Sequence, residues 1–247
     1  MKIMKIKSLF SCANNNDVQR IDYEKLVLPS GFTITAHAGA MGYPPNTETA
    51  LMKAIESGAD IIEVDVSFRP DNTPVIIHNA NPSKKQGVLF EKALEIIARH
   101  ETITVNLDLK SFVNLPVIEE LVRKYNLLKR VFFTGVDEKM AGAVKLQCPG
   151  IPFYLNASID ADNSKKRAYA VNMTEKLIAL GCVGLNCNYM NISRELVEYL
   201  HENSLLVSVW TVDKELDMVK ILSLSVNNIT TRKPDRLKSI IDEWSNI

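Results

Sequence analysis

Charge of either sign is not in excess in this chain: 29 Lys and Arg residues face 29 Asp and Glu, for a formal net charge of +0. A neutral chain has no polycationic face to displace counterions from nucleic acid or to condense on an anionic bilayer. A nucleic-acid partner is therefore not expected. Cysteine is scarce as well. The four thiols, Cys12, Cys148, Cys182 and Cys187, show no metal-ligand spacing and are too few to staple a chain of this length. Cys182 and Cys187 lie in an apolar stretch, where a free cysteine acts as a small hydrophobe. No run of about 18 apolar residues occurs, so no transmembrane helix is expected. Pro/Gly-rich linkers and low-complexity blocks are also missing, and nothing divides the chain into separate domains.

What remains is an ordinary globular composition, 46% hydrophobic and 23% charged. The length, 247 residues, is close to the roughly 250 of one (β/α)₈ barrel. Residues 1–30 lack periodicity, contain Asn14-Asn15-Asn16-Asp17 and read as a poorly ordered leader; residues 31–247 read as one domain. Lys2, Lys5 and Lys7 lead to Leu9-Phe10-Ser11-Cys12, a faint match to a lipoprotein cleavage box. The apolar stretch before Cys12 is shorter than the about 7–15 residues an export signal needs, so a cytoplasmic location is expected.

Beyond the leader, short β-rich runs alternate with helical segments. The runs are Thr33–His37, Asp60–Val66, Ile103–Lys110, Arg130–Thr134, Pro152–Asn156, Cys182–Asn186, Leu206–Val212 and Val226–Thr230, with a further short run at Pro74–His78. Asn46 and Thr47 precede a helical segment that ends at Gly58, the usual cap-to-glycine asymmetry. Apolar residues at helical spacing predict helices over Phe90–His100, Leu115–Asn126, Asp137–Gln147, Met173–Leu180, Ser193–Asn203 and Asp213–Ser223. Eight strands alternating with helices predict a single TIM-type (β/α)₈ barrel, with an open doubly wound sheet as the alternative.

Two of these strands carry acids where a barrel interior should be. Side chains alternate along a strand, so in Ile61-Ile62-Glu63-Val64-Asp65-Val66 the carboxylates Glu63 and Asp65 share one face and the aliphatics the other. The aliphatic face suits the helices, which turns both acids inward. In Val105-Asn106-Leu107-Asp108-Leu109-Lys110, Asn106, Asp108 and Lys110 likewise share a face. Acids are almost never fully buried unless paired, and like charges side by side repel. Either a hard divalent cation, Mg²⁺ or Ca²⁺, sits among the three oxygen ligands, or Lys110 neutralises them without a metal. Of the four histidines, His37 and His78 end strands that point at this interior, where TIM barrels build active sites. Such a pair can move protons near neutral pH. His100 and His201 sit near predicted helix C-termini, where a cation complements the dipole.

The run Ala36-His37-Ala38-Gly39, then Pro44-Pro45-Asn46-Thr47, Glu63-Val64-Asp65 and His78-Asn79 resembles the N-terminal signature of the glycerophosphodiester phosphodiesterases. That family reads His-Arg-Gly, Pro-Glu-Asn-Thr, Glu-x-Asp and His-Asp in this order. The resemblance continues through Asn106-Leu107-Asp108-Leu109-Lys110, Val209-Trp210-Thr211-Val212 and Ile229-Thr230-Thr231-Arg232-Lys233-Pro234, covering about residues 33–235. It implies a metal-dependent hydrolase that cleaves glycerophosphodiesters to glycerol phosphate and an alcohol. His37 and His78 would be the acid–base pair, Glu63, Asp65 and Asp108 the ligands of one divalent cation, Lys110 a phosphate contact, and Trp210 part of the pocket for the alcohol. Asp108 stands where the family usually has glutamate. The related sphingomyelinase-type phospholipases D carry an aspartate there, followed two residues later by lysine.

This chain departs from the family at Ala38, in place of the arginine that would clamp phosphate, and at Pro45, Asn79 and Arg232, each in place of an acid. Lys84, Lys85 or Arg232 could take over the missing cation's task. The segment between Asn79 and Ile103 is too short for the small insertion many members carry. Two other readings stay open: a lyase of the phospholipase D-like branch that leaves a cyclic phosphate, and a catalytically weak barrel that only binds phosphate esters. The expected partner is a small phosphodiester; the oligomeric state is not legible.

Overall fold

The computed structural model describes residues 26–245. Most of the leader expected over residues 1–30, including Cys12, therefore lies outside the described residues; residues 26–30 run without regular structure toward the first strand. The strands are β1 (Thr33–Ala36), β2 (Ile61–Phe68), β3 (Pro74–Ile76), β4 (Val88–Leu89), β5 (Thr104–Leu109), β6 (Val131–Val136), β7 (Phe153–Asn156), β8 (Gly184–Asn188), β9 (Leu206–Trp210) and β10 (Asn228–Thr231). β1, β2 and β5 to β10 pair in parallel succession, and β10 returns to β1, closing an eight-stranded barrel. The α-helices are α1 (Glu48–Glu56), α2 (Phe90–Ala98), α3 (Leu115–Lys124), α4 (Glu138–Gln147), α5 (Arg167–Leu180), α6 (Arg194–Glu202), α7 (Glu215–Leu222) and α8 (Pro234–Ser245). This is the TIM-type (β/α)₈ barrel that the alternation predicts, and the open sheet is ruled out by closure. No helix among the described residues is long and apolar enough to cross a membrane.

The hydrophobic core is the shell between strands and helices. Ile62, Val64, Val66, Val105, Leu107 and Phe133 point outward from the barrel and are buried against helical residues such as Leu94, Ile97 and Ile118. Each such side chain contributes about 1.5–3 kcal/mol on burial. The opposite strand faces are polar, and buried polar groups cost stability unless hydrogen-bonded. Here they bond to one another. Asn228 Nδ2 donates to Thr35 Oγ1 at 2.7 Å and Thr33 Oγ1 at 3.0 Å, while Asn228 Oδ1 accepts from Ser208 Oγ at 3.0 Å. Nearer the mouth, Asn186 Nδ2 donates to Asn156 Oδ1 at 3.0 Å.

The structure departs from the sequence expectations in four places. α5 begins at Arg167 rather than Met173, because Ala170 and Thr174 complete its buried stripe with Met173 and Leu177. α8 was not anticipated, although Pro234 opens it and Leu237, Ile240 and Trp244 form its buried face. The further run at Pro74–His78 stays outside the eight barrel strands as counted, but its direction was not foreseen: β3 returns antiparallel along β2 and pairs with β4. Asn46 is not a helix cap; Thr47 is, accepting the Ala50 N–H at 3.1 Å. Between His78 and β5 the described chain holds only β4, α2 and their connections.

Candidate active site

His37, Glu63, Asp65, His78, Asp108, Lys110 and Trp210 all line one cavity of about 350 Å³ at the C-terminal ends of the barrel strands. Register explains the gathering. Glu63 pairs with Asn106 and Asp65 with Asp108, so the acids of β2 and β5 stand side by side on the inner face. His37 follows the last residue of β1. His78 arrives by a different route from the expected one. The antiparallel return of β3 places Ile77 N–H on Asp65 O at 2.9 Å, and the next residue reaches the rim with its side chain largely in solvent.

One oxygen from each of Glu63, Asp65 and Asp108 lies within 4.8 Å of the others. Asp65 and Asp108 are well partnered. Lys110 Nζ bridges them, 3.0 Å from Asp65 Oδ1 and in contact with Asp108 Oδ2. Asn46 Nδ2 donates to Asp65 Oδ2 at 2.6 Å, and Thr134 Oγ1 donates to Asp108 Oδ1 at 2.8 Å. Burial resists ionisation of Asp65, but Lys110 and Asn46 outweigh it and hold the carboxyl below its usual range. Burial also works against charge on Lys110, and the two aspartates reverse that, raising its pKa.

Glu63 differs. It is buried, and among the described residues nothing hydrogen-bonds its carboxylate. Burial first, then the charges of Asp108 and Asp65, push its pKa well above the ordinary carboxylate value. An acid held so, beside two further carboxyls, fits a site that a divalent cation completes, and the all-oxygen donor set suits a hard ion. Lys110 offsets only part of the negative charge, so the ion-pair alternative leaves Glu63 unexplained.

The histidines are held differently. His37 Nδ1 accepts the Gly39 N–H at 3.3 Å, which leaves Nε2 to carry the proton of the neutral ring. Burial, then the nearby Arg232 charge, lowers the His37 pKa against the opposing pull of Asp65. His78 Nδ1 lies 3.3 Å from Asp65 Oδ1, a contact that favours the proton on Nδ1. Trp210 forms part of the wall and is 37% exposed. Ala38, by contrast, is small and buried, and brings no cation.

Sequence reasoning missed several residues that shape this site. Asn46 adopts a left-handed φ of 58° and bonds Asp65 rather than capping a helix. Gly135 bends β6 where an added Cβ would stand 2.4 Å from Leu109 O and 2.8 Å from Asp108 Oδ1, so only glycine fits beside the acid. Thr134 and Asn156 were available from strand alternation, since each follows an apolar residue that faces the helices.

A closed parallel barrel that gathers acids, imidazoles and a lysine at the C-terminal mouth of its strands defines a TIM-barrel enzyme. A sequence profile described as "Glycerophosphoryl diester phosphodiesterase family" matches residues 37–83 and 79–236. The chain belongs to the glycerophosphoryl diester phosphodiesterase family. It is 26% identical to a glycerophosphodiester phosphodiesterase of Caldanaerobacter subterraneus subsp. tengcongensis, across 84% of this chain and 97% of that protein. A Bacillus altitudinis glycerophosphodiester phosphodiesterase is also 26% identical, over 85% of this chain and 98% of its own length. Among solved structures, the Oleispira antarctica phosphodiesterase in complex with the product sn-glycerol-3-phosphate superposes with a TM-score of 0.68. At 22% identity it covers 87% of this chain and 97% of its own, and supports the fold.

Proposed function

We propose that this protein hydrolyses glycerophosphodiesters to glycerol phosphate and an alcohol, with a divalent cation and two histidines. The observation that carries the proposal is the convergence of His37 and His78 with the Glu63–Asp65–Asp108 cluster in one cavity. The activity of its glycerophosphodiester phosphodiesterase relatives and the product bound to the Oleispira antarctica protein support this substrate class.

Glu63, Asp65 and Asp108 would hold Mg²⁺ or Ca²⁺, which supplies Lewis-acid polarisation of a phosphoryl oxygen when bound. Lys110 favours the ionised form of Asp65 and holds both aspartates in place, with its ammonium at the cavity wall where a phosphoryl oxygen would come. One imidazole takes the proton of the attacking water and the other protonates the departing alkoxide. His78, with its Nδ1–H directed to Asp65, turns Nε2 to the mouth. His37 has Nδ1 occupied by the Gly39 N–H, so Nε2 is the nitrogen through which it would exchange a proton, and burial disfavours its imidazolium. Trp210 offers an apolar wall for the alcohol part of the substrate.

The test is a panel of glycerophosphodiesters and lysophospholipids assayed with Mg²⁺, Ca²⁺ and EDTA, products followed by phosphorus NMR. Glycerol phosphate released only with a divalent ion is the expected result. A persisting cyclic phosphate assigns the lyase reaction instead. Tight substrate binding without turnover under any ion defeats the enzymatic reading.

A further inference from the structure

The cavity holds two fixed cations, and only one is committed to its acids. Lys110 is engaged by Asp65 and Asp108. Arg232 lines the same cavity from the end of β10, 49% exposed, and touches none of the three acids. It is gripped from one side only. Asp213 Oδ2 accepts from Arg232 Nη1 at 2.7 Å, and Asp213 Oδ1 accepts the Arg232 backbone N–H at 2.8 Å and Thr231 Oγ1–H at 3.2 Å. Among the described residues, neither Nε nor Nη2 has a hydrogen-bond partner. That leaves one edge of the planar fork open, with the side chain already braced by Asp213.

Resting on the phosphodiesterase reading, we infer that Arg232 is a second anion-binding residue of this site beside Lys110, its open Nε–Nη2 edge receiving a non-bridging oxygen pair of the substrate phosphate. A guanidinium edge matches two phosphate oxygens in one plane, which a lysine cannot do. With Lys110 held by Asp65 and Asp108, Arg232 is the cation of this cavity with an edge to offer a phosphodiester anion. Its charge already reaches the neighbouring imidazole, disfavouring protonation of His37. Where the family carries its arginine directly after the first histidine, this chain has buried Ala38. The charge enters instead from the far end of the sequence, across the β1–β10 seam, where Ala36 pairs with Thr231.

The test measures inorganic phosphate binding by calorimetry in the presence of Mg²⁺, together with steady-state kinetics on a glycerophosphodiester, for wild type, Arg232→Gln and Arg232→Lys. Arg232→Gln should weaken phosphate binding about 10- to 100-fold, the range for a hydrogen-bonded charge. KM should rise more than kcat falls, and Arg232→Lys should recover part of the loss with an unchanged melting temperature. Phosphate affinity in Arg232→Gln equal to wild type overturns the inference, as does a wild type that binds no phosphate. If the wild type turns over no glycerophosphodiester yet loses phosphate binding in Arg232→Gln, the anion site stands and the activity reading falls. Turnover with no change in Arg232→Gln has the reverse meaning.

Discussion

Asn46 holds Asp65 at both ends: its Nδ2 donates to the Asp65 carboxylate at 2.6 Å, and its Oδ1 accepts the Asp65 backbone N–H at 2.9 Å. The reciprocal pair fixes the carboxylate in plane and in register with Asp108. Both residues are buried, so both bonds are strong and costly to lose. Asn46 also occupies a left-handed backbone position, which asparagine tolerates better than most side chains.

Asn46→Ala is expected to destabilise the protein by about 1–3 kcal/mol, the penalty for leaving a buried polar group unpaired. It should also weaken divalent-cation affinity. Urea denaturation and a calorimetric Mg²⁺ titration check both. A variant as stable as wild type with unchanged ion affinity would show that the clamp does nothing.

Glu63→Gln should make the EDTA-treated protein more stable while abolishing activity. The buried, unpartnered carboxyl opposes folding when no cation is present, and its neutral isostere does not. Wild type should gain about 2.7 kcal/mol at a cation concentration of about 100 times Kd, and the variant none of it. Thermal melts with and without Mg²⁺ read this out.

His37→Ala and His78→Ala should each lower kcat at least about 10²-fold, as expected for a lost proton-transfer group. Folding should persist, since His78 is mostly exposed and the His37 side chain makes one hydrogen bond, to the Gly39 backbone N–H. Single-turnover assays with matched circular dichroism spectra decide the matter; wild-type rates in either variant refute the assignment.

The depressed pKa of His37 carries a pH signature. A folded-state value below the unfolded 6.5 means that the unfolded chain binds the proton more readily. Stability from this group is therefore complete above 6.5 and drains away as pH falls toward the folded value. His37→Gln should flatten the stability profile just below 6.5 in EDTA-treated protein. A profile as steep as wild type would place the titration elsewhere.

The period-two pattern of β2 and β5 was enough to turn Glu63, Asp65, Asp108 and Lys110 to one side, because Ile62, Val64, Leu107 and Leu109 had to meet the helices. Long-range partnerships were not legible. No local rule tells that Asn46 reaches a residue nineteen positions on, or that Asp213 steadies Arg232. Helix α8 was legible by the same periodicity as the other helices, since Leu237, Ile240, Ile241 and Trp244 keep i, i+3, i+4, i+7 spacing behind Pro234, and packing against α7 and β1 secures it. The route of His78 stayed hidden: β3 has the composition of a barrel strand, and only its antiparallel pairing reveals an excursion.

That excursion gives the proposed pair of proton carriers unequal foundations. His37 is bolted to a closed circuit, whose two sides, β2 and β10, flank the strand it follows. His78 follows β3, which joins the barrel's strands only along β2 and is otherwise held by β4, α2 and the burial of Val75 and Ile76. Displacement of β3 would withdraw the His78 imidazole while the eight strands of the ring kept their own hydrogen bonds, so the proposed chemistry would depend on a segment that the ring's closure does not need.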